Sequence, residues 1–263
     1  MRDSGGVKLT KTPPRVPAIS IAGTLAVLVA AFMFLEVDFV ELLSAFPAFI
    51  GFFAERFMPP DFSGFGEYLP LLLETVLFAV VATYLSSVLA LVGGLLLSER
   101  TNSIAWLRFV AKVAFSVLRN VPYLVWAVIL VYIFGIGNMV GLLALIFATL
   151  GLLSRSYAES LNEIAGSKME ALQAVGASKA QILVHGILPE FVPALVNWTL
   201  FSFEINIRAS IILGMVGAGG IGIMIQTNLR LFRYHSALAL ILALVALVLL
   251  TEFVTNKLRG RVR

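Results

Sequence analysis

Glu204, Asn206, Arg208 and Ser210 stand at alternating positions in a segment, 191–213, whose other residues are mostly hydrocarbon. Glu204 and Arg208 are four apart, so on a helix the two can face one another. An arginine offers paired N–H donors that can hold an anionic group in a fixed geometry. Ionisable groups in apolar spans usually face a protein interior or an aqueous path. Two readings are open. Either Arg208 supplies positive potential in a path for an anion while Glu204 orients it, or the two form a structural ion pair at an interface. Covalent and metal chemistry have little to work with: the chain has no cysteine, hence no thiolate nucleophile and no disulfide framework. With only His185 and His235, a histidine metal site is not expected either.

Residues 217–222, Gly-Ala-Gly-Gly-Ile-Gly, match the pattern of a dinucleotide-binding turn. That turn needs a preceding strand inside a βαβ unit, whereas this one follows an apolar helical segment. Gly217, Gly219, Gly220 and Gly222 read better as a place where backbone turns or helices approach closely. Arg230 and Arg233 follow. The chain also lacks Gly-x-x-x-x-Gly-Lys-Ser/Thr, so any nucleotide would be bound by another subunit.

These residues sit in a chain that is 60% hydrophobic and 13% charged, with a mean hydropathy of +0.98. Those values lie outside the soluble globular range and predict an all-α membrane protein. A spanning helix takes about 20 mostly apolar residues. Six segments qualify: about 18–36, 69–97, 120–136, 138–155, 191–213 and 236–256. The first follows a basic tail, 1–17, but ends in Glu36-Val37-Asp38 without a small-residue cleavage site, so it reads as a retained span. The segment 38–68 is apolar, broken at Pro47, and reads as an outer interfacial helix.

Charge fixes an orientation. With the N-terminus inside, fifteen of the nineteen Lys and Arg fall on the cytoplasmic side: in the tail, the 98–119 loop, the 155–190 region and the C-terminal 257–263. The 36–68 segment has one base, Arg56, against six acids. This satisfies the positive-inside rule. Both termini are then cytoplasmic. Residues 104–118 are apolar but carry Arg108 and Lys112. Each would cost about 2.5–3.5 kcal/mol at the centre of a span, so an amphipathic helix on the cytoplasmic surface is expected there.

Residues 155–190, SRSYAESLNEIAGSKMEALQAVGASKAQILVHGILPE, form a polar island between apolar spans. Helix-forming residues run to Ala174. Gly176 suits a left-handed stop, Ser178 can start a second short helix, and Pro189 opens the next span. The pattern predicts a compact knob standing on the membrane.

Within the island, Glu170-Ala171-Leu172, Gly176-Ala177 and Leu188-Pro189 resemble the Glu-Ala-Ala signature of bacterial type I ABC-importer permeases. Arg119-Asn120-Val121-Pro122-Tyr123 is similar to an element of the methionine-type permeases. Glu204-Ile205-Asn206-Ile207-Arg208-Ala209-Ser210, followed by Val216 to Gly222, resembles the phosphonate/phosphite branch in particular. Two positions depart from the signature: Leu172 replaces its second alanine, and Gly186 stands where isoleucine is usual. The resemblance covers about 69–256 and implies a methionine-permease-like core with an extra N-terminal helix. It implies a homodimer in the bacterial inner membrane, docked through the island to a cytoplasmic ATPase dimer that holds ATP and Mg. A substrate-binding protein would deliver a phosphorus oxyanion outside. The chain itself would be no enzyme, bind no cofactor and meet no nucleic acid. It further implies a coupling role for Glu170, Ala171, Leu172, Gly176, Ala177, Leu188 and Pro189, and a gate at Gly217, Gly219, Gly220 and Gly222. A methionine or other small-solute permease, or a carrier independent of ATP, remains the alternative.

Overall fold

In the computed structural model, which describes residues 18–36, 38–174 and 176–262, every regular element is helical. The all-α class inferred from hydropathy is the class the chain adopts. The chain divides into two compact units, Met1–Glu55 and Arg56–Arg263. The basic tail 1–17 lies outside the described residues.

The first unit holds α1, Ala18–Phe34, and nearly all of α2, Phe39–Arg56. At 17 residues α1 rises about 25 Å, somewhat less than a typical span needs. The Asp38 carboxylate accepts from the Val40 N–H at 2.8 Å and the Glu41 N–H at 3.2 Å, capping α2. The expected break at Pro47 does not occur: α2 runs through it. A proline removes one backbone donor, which a helix rich in apolar residues can tolerate.

The second unit comprises α3 (Phe65–Leu97), α4 (Ala105–Asn120), α5 (Tyr123–Phe134) and α6 (Asn138–Ala174). After the island come α7 (Lys179–Gln181), a π-helical turn Ile182–Ile187, and α8 (Leu188–Leu213). A second π turn, Gly214–Ala218, leads to α9 (Ile221–Arg230) and α10 (Tyr234–Val262). Four stretches are long and apolar enough to cross a membrane: Phe65–Leu97, Asn138–Ala165, Ile182–Ala218 and Tyr234–Arg261. The pair α4 and α5, bent by 92° between Asn120 and Tyr123, makes a fifth if counted as one broken crossing.

Residues 104–118, but for the first, fall in α4, which is largely exposed and set at 92° to α5. It packs on α3, where an added Cβ at Gly93 would stand 2.8 Å from Phe115, and on α6, where one at Gly151 would stand 2.6 Å from the Arg119 backbone. Glycines on both neighbours open the space that a charged, amphipathic segment needs to join the bundle. The Trp126 indole donates to the Leu118 carbonyl at 3.3 Å across the bend. Alpha-5 alone, at 12 residues, rises only about 18 Å, short of the full crossing expected at 120–136.

Small residues hold α3 against α6. Ala82, Ser86, Ala90 and Gly93 recur at helical spacing and are buried. Lipid offers no hydrophobic drive between helices, so close packing and hydrogen bonds must hold them together. Buried hydroxyls complete the tie. Ser87, Tyr157 and Thr199, from α3, α6 and α8, lie 2.7–3.1 Å apart. Ser98 donates to Asn162 at 2.7 Å and Trp198 to Ser160 at 3.1 Å. The end of α3, the latter half of α6 and the first half of α8 therefore share one end of the bundle.

Candidate functional site

Of the four polar residues on α8, three are buried within the subunit and one faces out. Asn206 is 2% exposed; it accepts from the Thr149 hydroxyl and donates to Thr83 Oγ1, both at 2.8 Å. This links α6, α8 and α3 through one amide. The Ser210 hydroxyl donates to the Ile207 carbonyl at 2.8 Å and is thereby occupied locally. Glu204 does not pair with Arg208. Its Oε1 lies 2.6 Å from Arg259 Nη2 and also accepts from the Thr255 hydroxyl. Both partners come from α10. Arg208 is exposed and makes no hydrogen bond or ion pair among the described residues.

Thr255 and Arg259 lie in the C-terminal third of α10. Sequence reading missed Thr255 and Arg259. The available signal was their four-residue spacing, which puts a hydroxyl and a base on one face at the end of an apolar helix.

The glycine run makes a tight reversal between α8 and α9. Gly217, Gly219 and Gly220 have φ of +99°, +88° and +71°, a region that side chains disfavour. A Cβ on Gly214 would collide with the Gly219 carbonyl, and one on Gly222 with the Ile211 carbonyl. Alpha-3 anchors the reversal: the Thr75 hydroxyl accepts from the Ile221 N–H at 3.0 Å. Beside Gly219, Asn138 donates to the Glu74 carboxylate at 2.6 Å. At this same end, the Asp61 N–H donates to the His235 carbonyl at 3.1 Å, and Ser63 N–H donates to the Asp61 carboxylate at 2.9 Å. Hydrogen bonds from the Ser63 side chain and backbone hold the Asp61 carboxyl below its ordinary range, against slight desolvation, with smaller help from Ser236 and His235.

At the opposite end stands the island. Alpha-6 continues without a break to Ala174, 37 residues in all, so the expected separate helix is an extension of the span. Gly176 has φ +83°, and the Ala177 N–H donates to the Leu172 carbonyl at 3.1 Å, the six-to-one bond of a Schellman stop. Ser178 and Gln181 then form a reciprocal cap: Ser178 N–H to Gln181 Oε1 at 2.9 Å, Gln181 N–H to Ser178 Oγ at 3.3 Å. The second helix flows through the π turn into α8, with Pro189 in its first turn. Leu188 N–H reaches back five residues to Leu183, a wider turn that accommodates the proline ring.

The knob is packed rather than loose. Ile182, Ile187 and Phe191 join Tyr157, Leu161 and Ala165 in one buried cluster that Leu172, Ala177 and Leu188 flank. A Cβ added at Gly186 would stand 2.6 Å from Leu172 Cδ1. The two departures from the signature thus explain one another: the larger residue fills what the missing one leaves. The side chains of Glu170 and Ala171 lie outside the described residues.

The model of a family described as "binding-protein-dependent transport system inner membrane component" matches residues 90–263. The chain belongs to this family. It is a multi-pass inner-membrane permease subunit rather than an enzyme. The phosphite transport system permease protein PtxC of Stutzerimonas stutzeri is 33% identical over 222 residues, covering 84% of this chain and 80% of that one. The phosphate-import permease protein PhnE of Mycolicibacterium smegmatis is 32% identical over 250 residues, 94% of this chain but 47% of that longer protein. Among solved structures, the permease resembles a chain of the inward-facing MetNI methionine ABC transporter, with a TM-score of 0.66 at 24% identity, covering 74% of this chain and 96% of that one. The methionine-permease-like core inferred from sequence is thus the fold observed.

Proposed function

We propose that this permease translocates a phosphorus oxyanion inward, with two copies forming the path and a separate ATPase dimer driving them through the island. The observation that carries the reading is Arg208: a guanidinium without a hydrogen bond or ion pair among the described residues, on the membrane-spanning part of α8, one turn from a carboxylate already neutralised by Arg259. An exposed, uncompensated charge in a spanning segment calls for a counter-charge or an aqueous surface outside the single subunit. A path between two copies provides that surface, and a tetrahedral oxyanion provides the charge. The names of the relatives support the substrate class, since PtxC is a phosphite and PhnE a phosphate-import permease. Delivery by a substrate-binding protein follows from the family description.

The gathering of basic residues at the island end supports an orientation with that end in the cytoplasm. ATP-driven closure would then move the two knobs, and rigid-body rotation would pass the motion to the glycine reversal at the outer end. In transporter reconstituted with its ATPase and binding protein, Arg208→Gln should lower oxyanion uptake about tenfold or more, the worth of a charge-assisted contact. Arg208→Lys should retain part of it. Unchanged uptake by Arg208→Gln, with normal assembly, would reject the pathway role.

A further inference from the structure

A groove of about 410 Å³ opens between the end of α3, α4 and the middle of α6. Arg108, Lys112, Arg119 and Arg155 line it, against two acids, Glu99 and Glu159. The acids do not neutralise it. Arg155 binds Glu159 at 2.6 Å, and Arg108 donates to the Asn102 carbonyl at 2.8 Å. Lys112 and Arg119 have no hydrogen bond or ion pair among the described residues. Among the described residues, two cations thus line a concave surface without an ion-pair partner.

The face beside the groove is of another kind. On α4, Trp106, Val110, Val113 and Val117 follow one another at helical spacing and are all exposed. Arg108, Lys112, Ser116 and Arg119 form a second stripe, about 120° around the same helix. Ala111 and Phe115 occupy the side packed on the bundle. Depth agrees with this division. Twenty residues from the start of α6 at Asn138, where a hydrocarbon core of ordinary thickness would end, lies Ala158, which lines the groove beside Arg155, Glu159 and Asn162.

A cationic hollow at the membrane edge, flanked by an exposed apolar stripe, suits a ligand with a phosphate head and an acyl tail. We propose that this groove binds the headgroup phosphate of an anionic phospholipid, its acyl chains lying along the Trp106–Val117 stripe. Assigning it to the inner leaflet rests on the orientation proposed above; the binding itself does not depend on uptake. Such a lipid would brace the bent α4–α5 crossing from the side that the protein leaves open.

The permease–ATPase complex, titrated with phosphatidylglycerol or phosphatidylcholine and observed by native mass spectrometry, tests this directly. Preferential retention of phosphatidylglycerol is expected. It should weaken about thirtyfold in Lys112→Gln/Arg119→Gln, since each base near an anionic headgroup contributes about fivefold. Phosphatidylcholine adducts should not change. Because Arg119 is packed against α6, the exposed Lys112→Gln alone serves as a second variant and should show a smaller loss in the same direction. No headgroup preference, or equal retention in both variants, would overturn the proposal. Displacement of the lipid by millimolar inorganic phosphate would instead make the groove a free-anion site and overturn the lipid assignment. The assay contains no binding protein and measures no transport, so its failure leaves the transport reading standing, and the reverse.

Discussion

A methyl group added to Gly186 would stand 2.6 Å from the end of Leu172, so a large residue at one position and a bare backbone at the other share a single space in the knob. Leu172→Ala should destabilise the permease by about 1–2 kcal/mol, less than for a fully buried leucine. Gly186→Ile alone should crowd the same space. Combined, the two changes restore the signature's usual pair and should recover much of the loss, a coupling that a double-mutant cycle on thermal unfolding in detergent would measure. Additive losses would show that the residues do not share the space. Glu204 is a second case. Arg259→Met leaves a nearly buried carboxylate short of its cation, and should cost about 2–3 kcal/mol, below the range for a fully buried pair because Arg259 is partly exposed. Glu204→Gln/Arg259→Met should be milder than the single change. Sequence spacing pointed to Arg208 as the partner because a helix brings residues four apart together. It could not show that Arg259, 55 positions away, comes closer.

At the level of elements, the glycines divide by what surrounds them. Gly222→Ala would drive a methyl group into the Ile211 carbonyl and should cost roughly 2–4 kcal/mol, in the range of backbone-strain substitutions. Gly66, in the first turn of α3, has open space, and Gly66→Ala should be neutral or add about 0.5–1 kcal/mol through helix propensity. Equal effects would contradict the reversal as drawn. The turn at Asp61 gives a pH dependence. Its carboxyl is held below the ordinary range, so its stabilising hydrogen bonds are fully present above the unfolded carboxylate value. They are lost as pH falls through the lowered folded one. The protection factor of the Ser63 amide, its exchange relative to an unstructured chain at the same pH, should fall on acidification into that window in the native chain and stay flat in Asp61→Asn. Periodicity and punctuation made the knob legible: helix, left-handed glycine, serine cap, proline. They did not show that α6 continues unbroken from the membrane into it, because polar residues on an extended helix look like a loop. Nor did they show what α4 packs on, because Gly93 and Gly151, which it approaches, lie on distant parts of the chain.

For the whole molecule, helix ends and charge agree. Arg100, Arg108, Arg155, Lys257 and Arg259 gather toward the end that carries the island, while Glu74, the glycine reversal and the Asp61 turn occupy the other. That polarity was readable from basic-residue counts alone, since charge bias acts on topology rather than on contacts. Spacing along α8 did not show that Glu204, Asn206 and Ser210 are buried within one subunit while Arg208 is exposed. On the function proposed above, this chain carries a phosphorus oxyanion across a membrane at the expense of ATP held by a partner. The most direct measurement is uptake of phosphite, phosphonate, phosphate and methionine into proteoliposomes containing the permease, its ATPase and its binding protein, with and without ATP. Entry of a phosphorus oxyanion only when ATP is present is the result predicted. Uptake of methionine alone would contradict the substrate, and uptake indifferent to ATP would contradict the account as a whole.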